Sequence, residues 1–233
     1  MADNNHNTNI LKVTTSEKYH TVEELFSRSE PGSFYYTLLV LSVFIISAGL
    51  LLENSAIVIG GMLVTPVLTP ILLIALGINV GQPKVITGVL SLMLKSFLLI
   101  IAVSLAMAFI FGVHENSYIF ENTMRTAVLY FIVAVSSGIL ATFAMARKEM
   151  SETLPGIAIA VSLVPPLALV GIRLAGLDGD AARFYFLVFL FNLFGIIMGS
   201  LVVFSLLKFY KIEEKVKKEH EVSEENHEKE KSQ

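Results

Sequence analysis

Cysteine is absent from the 233 residues, which excludes disulfides and thiol chemistry and suits either side of a membrane equally. Charge is scarce as well. Only 16% of the residues are charged and most of those sit in the two tails, so no coherent basic surface for nucleic acid is present. The net charge of -3 adds nothing to this. Catalytic signatures are missing too: there is no HExxH, no CxxC and no catalytic carboxylate pair. The five histidines lie only in the tails and one loop, and the methionines form no cluster. No enzymatic activity, resident metal or cofactor is expected. Met1 to Gly32 is polar, with acidic and basic groups, and no small-residue cleavage pattern follows the first apolar run, so that run is expected to stay in the protein.

What the chain has is apolar length. Hydrophobic residues make up 54% of it, and the mean hydropathy is +0.69. Apolar runs cover Phe34 to Leu52, Ser55 to Leu76, Val85 to Phe111, Thr126 to Ala146, Leu154 to Leu177 and Phe184 to Phe209. Each is long enough, at 1.5 Å per residue, to cross hydrocarbon about 30 Å thick. A soluble fold would have almost no sequence left for a wetted surface, and a membrane β-barrel would alternate apolar and polar residues. The fold class predicted is an all-α polytopic membrane protein with six transmembrane helices.

Proline interrupts two of those runs in the same way. Ile57 to Ala75 holds Pro66 and Pro70, and Ile157 to Ala175 holds Pro165 and Pro166. At an offset of 100 residues Ile57, Ile59, Leu63, Val64, Pro66 and Ala75 recur as the same residue type. Each half then reads plain helix, broken helix, plain helix, with repeat one at 34–111 and repeat two at 126–209. Three spans per unit make the second unit enter from the opposite side, so the repeats are inverted, as in many transporters with a midplane site.

The polar segments flank this membrane domain. Residues 1–33 form a tail in which T21-V-E-E24 reads as a capping box, followed by a short helix on the membrane surface with Val22, Leu25 and Phe26 on one side. Residues 210–233 are almost entirely charged, cannot form a core, and are expected to prolong the last helix briefly before disorder. Seven basic residues (Arg28, Lys84, Arg147, Lys148, Lys208, Lys211, Lys215) fall on one side and three (Arg125, Arg173, Arg183) on the other. That bias places both termini in the cytoplasm and the protein in the cell membrane.

Polar groups at membrane depth are the candidate site. In a continuous helix Pro66, Pro70, Pro165 and Pro166 would leave the carbonyls of Met62, Pro66, Val161 and Ser162 without partners. Thr65, Thr69 and Ser162 lie beside them. Two readings stay open: a site for a small ion or polar solute, or a kink satisfied by neighbouring hydroxyls. Lys95 and Asn192 lie well inside the third and sixth runs. The cost of a lysine in hydrocarbon implies that Lys95 faces the interior or water, or else snorkels. Asn192 is a ligand or helix-packing glue. Glu53 and Arg173 are charge partners or interfacial groups, Arg173 being expected to reach the headgroups. Ala134, Gly138, Thr142, Gly195 and Gly199 suit close helix contacts within one chain or a homo-oligomer seam.

ENSAIVIGGMLVTPVLTPILLIALGINVG, the SSG at Ser136, LPGIAIAVSLVPPLALVGIRLAG and FLFNLFGI together resemble the hydrophobic membrane domain known as domain of unknown function 389, from about Leu51 to Leu207. Members usually carry Asp where this chain has Gly81-Gln82, and many carry a soluble domain ahead of the spans. The resemblance implies a membrane location and no particular activity. The residues themselves point to alternating-access transport of a small ion or polar solute. An ion channel and a non-transporting scaffold are the alternatives, and lipids are the expected surroundings.

Overall fold

A computed structural model describes residues 13–113, 124–147 and 163–231, and every regular element among them is helical. The helices are α1 (Thr15–Ser27), α2 (Ser33–Leu51), α3 (Ser55–Val64), α4 (Leu68–Val80), α5 (Pro83–Phe111), α6 (Met124–Ala146), α7 (Val164–Ala175), α8 (Gly179–Leu206) and α9 (Glu213–Lys231). A 3-10 turn at Phe209–Ile212 joins the last two.

Four helices are long and apolar enough to span a bilayer: α2, α5, α8 and the part of α6 from Val128 to Ala146. α3 and α4 together make a fifth candidate, bent by 54° at the break. α7 is apolar but has only 12 residues, about 18 Å of helix, and the 15 residues 148–162 ahead of it lie outside the described set. The long helices carry large apolar side chains on their outer faces as well as their inner ones, among them Phe44, Leu98, Phe109, Ile132, Leu187 and Phe194. A helix apolar all round suits lipid, and a soluble protein would not leave so much of such a surface in water. The protein is embedded in a membrane.

Small residues set the closeness of the packing. On α2 and α3, a Cβ at Gly49 would come within 2.7 Å of the Val58 nitrogen, and one at Gly61 within 2.6 Å of Ile46 Cγ1. The most extensive helix pair is α6 with α8. There Gly138 lies against the Ile196 carbonyl, Gly199 against the Val135 carbonyl and Gly195 against Ala134 Cβ. These glycines therefore make a seam inside one chain. Longer-range packing crosses between the halves: α4 packs on α8, and α7 packs on α5.

Three helix ends close in one manner. The nitrogens of Asn54, Gln82 and Asp178 donate to the carbonyls of Gly49, Gly77 and Arg173 at 2.8, 3.0 and 3.0 Å. The residue before each donor, Glu53, Gly81 or Leu177, is left-handed, with φ of 53°, 71° and 58°. This is the Schellman closure, which satisfies the orphan carbonyls of a helix end and normally selects glycine at the left-handed position. Asn54 and Asp178 then cap the next helix, accepting from Ala56 and Ile57 and from Ala181.

The two terminal helices, α1 and α9, pack on each other, where they differ from the sequence expectations. The capping box is Thr14 with Glu17, not Thr21 with Glu24. Thr21 lies inside α1, donating to the carbonyls of Glu17 and Met145. Val22, Leu25 and Phe26 do share a face, yet that face is buried in the protein rather than in the bilayer surface. Its partner is the charged tail. That tail is helical to Lys231, because Ile212, Val216 and His220 give it an apolar edge that docks on α1. Lys215 bonds Glu23 at 2.6 Å, and Gln82 bonds Glu213 at 2.7 Å.

Candidate functional site

The first break is built by Thr65. A residue before proline is driven to extended backbone, and Thr65 sits at φ -71°, ψ 125° ahead of Pro66. Its nitrogen donates to the Met62 carbonyl at 3.3 Å and its hydroxyl to the Gly61 carbonyl at 3.1 Å. The Met62 carbonyl, expected to be freed, is thus capped from within the chain. Pro70 falls in the first turn of α4, where the nitrogens have no intrahelical partner in any case, so it removes no helical bond. Pro66, Thr69 and Thr65 are half-buried, and Pro70 is buried.

The second pair of prolines is placed differently. Pro165 and Pro166 open α7 in its first turn, again at no cost in helical bonds. Both are buried from the outer surface yet line a cleft of about 150 Å³, together with Leu50, Ser55, Val58, Ile59, Met62, Tyr130, Leu169 and Val188. Met62 from the first broken segment thereby meets the prolines of the second. Nearly all of the lining is apolar, with Ser55 and the Tyr130 phenol as its hydroxyl groups. Ser162 and Val161 lie outside the described residues.

The other candidates are dispersed. Lys95 is exposed on α5, next to outward-facing Leu94 and Leu98, while Leu92, Met93, Ser96 and Ile100 define the buried face. Of the readings left open for it the interior one is thereby removed: it lies one step round the helix from Ser96, and its long stem can run along the apolar surface towards the headgroups, as the snorkelling reading has it. Asn192 is only 3% exposed, on α8 one turn from Phe189, whose ring meets Phe97 of α5 at 4.8 Å. Lys95 and Asn192 consequently do not share an environment. Glu53 is exposed in its left-handed turn. Arg173 is 7% exposed and pairs with Asp178 at 4.0 Å, so it does not reach out to headgroups. Its charge sits in the last turn of α7, where the helix dipole favours a cation.

Several structural partners were missed from the sequence. Tyr35 and Ser96 join α2 to α5 through a 3.0 Å hydrogen bond in a fully buried place. Gly171 of α7 lies against Ser104 Oγ and the Ile101 carbonyl of α5. Tyr130 at the cleft carried no signal beyond its being a hydroxyl within an apolar run. Asp178 did carry one, as an acid five residues after an intramembrane arginine. Among the described residues no cluster of histidine, aspartate or glutamate with metal-binding geometry occurs.

Comparison with known proteins adds a family and no activity. The chain is 22% identical over 194 residues to Uncharacterized protein MJ0678 of Methanocaldococcus jannaschii, an alignment covering 83% of this chain and 59% of that relative. The chain thus spans less than two thirds of that relative's length. No solved structure matches it. Residues 62–198, from the first break into α8, match the family described as Domain of unknown function (DUF389). That stretch covers more than half of the chain and holds the break at Thr65 and the cleft-lining prolines, and the protein belongs to the DUF389 family.

Proposed function

We propose that the protein is a transporter in the cell membrane, with six spans in two inverted three-span units, both tails in the cytoplasm, and the cleft beside Pro165 and Pro166 as the solute entrance. The observation that carries this reading is the reciprocal contact of each half-helix with the last helix of the other unit, α4 on α8 and α7 on α5. Reciprocal contact between corresponding helices is what a two-fold relation between the units would produce, and it stands beside contacts of each half-helix within its own unit, α4 with α5 and α7 with α8. The matching turns Gly81-Gln82 and Leu177-Asp178, each leading into the last helix of its unit, support the same relation. Arg28, Lys84, Arg147, Lys208, Lys211 and Lys215 gather towards the end where α1 meets α9, which favours that end as cytoplasmic.

The largely apolar lining favours a small solute with an apolar body over a bare ion. The test is protein-dependent flux into liposomes across a panel of small solutes, with Ile59→Trp filling the cleft. Flux lost in that variant at equal folded amount is expected, while Lys95→Met should leave flux unchanged because its side chain lies outside the cleft. Ion flux without gradient coupling would favour a channel. The scaffold reading has its own observation, the internal capping of the first break by Thr65. Folded protein that moves no solute of the panel would establish it over transport.

A further inference from the structure

Where the chain leaves the last span, three lysines converge. Lys208 takes a left-handed conformation, φ 59° and ψ 44°, directly after α8. Its carbonyl accepts the Lys211 nitrogen at 3.3 Å and the Lys18 ammonium of α1 at 3.2 Å. Lys18 Nζ also lies 5.6 Å from the centre of the Phe209 ring, which fixes the reach of that side chain. Among the described residues, none of the three has an acidic partner: the ion pairs of the terminal helices use Arg28, Lys215, His20 and His220. Burial, with repulsion from Lys211 and Lys208, holds the Lys18 ammonium below the ordinary lysine range, as expected where like charges gather without an acid in contact.

The setting identifies what would offset that charge. Leu206 and Val202, about half a turn and one and a half turns back from Lys208, are exposed apolar residues on the lipid side, and Tyr210 stands exposed beside the lysines. Tyrosine prefers the headgroup level of a bilayer, and basic residues immediately beyond a span attract anionic lipid. A free phosphate would satisfy the charge but would leave the adjoining apolar surface uncovered. We propose that Lys18, Lys208 and Lys211 form a binding site for the phosphate of an anionic lipid headgroup, with Leu206 and Val202 receiving its acyl chains.

The whole chain in nanodiscs of phosphatidylcholine, with and without phosphatidylglycerol, provides the test, with retained lipid counted by native mass spectrometry. Lys208→Gln with Lys211→Gln should weaken phosphatidylglycerol retention about 30-fold. Lys217→Gln with Lys218→Gln, an equal loss of charge at exposed positions of α9, should leave it unchanged. Equal loss in both double variants, or none in either, would overturn the site. So would inorganic phosphate in pure phosphatidylcholine raising the melting temperature of the wild type as far as phosphatidylglycerol does. If the first double variant does not fold, Lys211→Gln alone makes the same comparison at smaller amplitude, since Lys211 is exposed and its nitrogen, not its side chain, makes the bond to Lys208.

Discussion

Between α6 and α8, Gly138 lies against the Ile196 carbonyl and Gly199 against that of Val135, whereas between α1 and α9 the contact is Lys215 on Glu23 above a patch of Val22, Leu25, Phe26 and Val216. The two regions answer to different solvents. Lipid gives helices no hydrophobic reason to associate, so the membrane body relies on close fit, and small residues let backbones touch. Water does supply that drive, so a few apolar residues suffice to dock the terminal helices, and exposed charge adds direction. The body should therefore respond to volume and hardly to pH or salt, and the terminal pair to both.

Gly171→Leu attacks the body where α7 meets α5, with Ser104 Oγ and the Ile101 carbonyl already in the way of a Cβ. A loss of about 3 kcal/mol or more is expected, read as a collapse of the folded fraction in detergent. Leu25→Ala attacks the terminal pair, where Leu25 is fully buried. It should cost about 2 kcal/mol, read as faster proteolysis of the carboxyl-terminal helix while the melting of the membrane body stays put. Simultaneous melting of both regions in that variant would end the distinction drawn between them.

Leu177→Gly works in the opposite direction. Leu177 is left-handed and 93% exposed, so glycine removes a steric cost without removing a contact, and a gain of about 1 kcal/mol in thermal stability is expected. The smallest effect belongs to Lys215→Gln, roughly 0.5 kcal/mol for a partly exposed pair, fading in high salt. Its pH dependence has two edges. The hydrogen bond from Lys215 lowers the Glu23 carboxyl below its ordinary range, so that contribution is present above about pH 4 and is lost as the pH falls through the lowered value. The same bond raises the Lys215 ammonium, so its contribution holds below about pH 10 and is lost as the pH rises through the raised value. Terminal-helix protection measured by hydrogen exchange should be flat between those edges, and Lys215→Gln should erase both.

Ile57 to Ala75 and its partner 100 residues on show what a sequence alone can carry. Apolar length fixed the helices and the lipid setting, because crossing hydrocarbon leaves a backbone few ways to satisfy its own hydrogen bonds. Proline fixed where helices stop, since its ring and missing N–H act on the nearest four residues whatever surrounds them. The outcomes differ in reach: Thr65 closes the first break locally, while Pro165 and Pro166 open onto a cleft whose walls come from α2, α3, α6 and α8. The inward or outward direction of Lys95 was not readable. In a helix apolar on every face there is no periodicity to say which side is buried, and only the packing of its neighbours decides. The charged tail was misread for the related reason that Ile212, Val216 and His220 make an edge only once α1 is there to receive it.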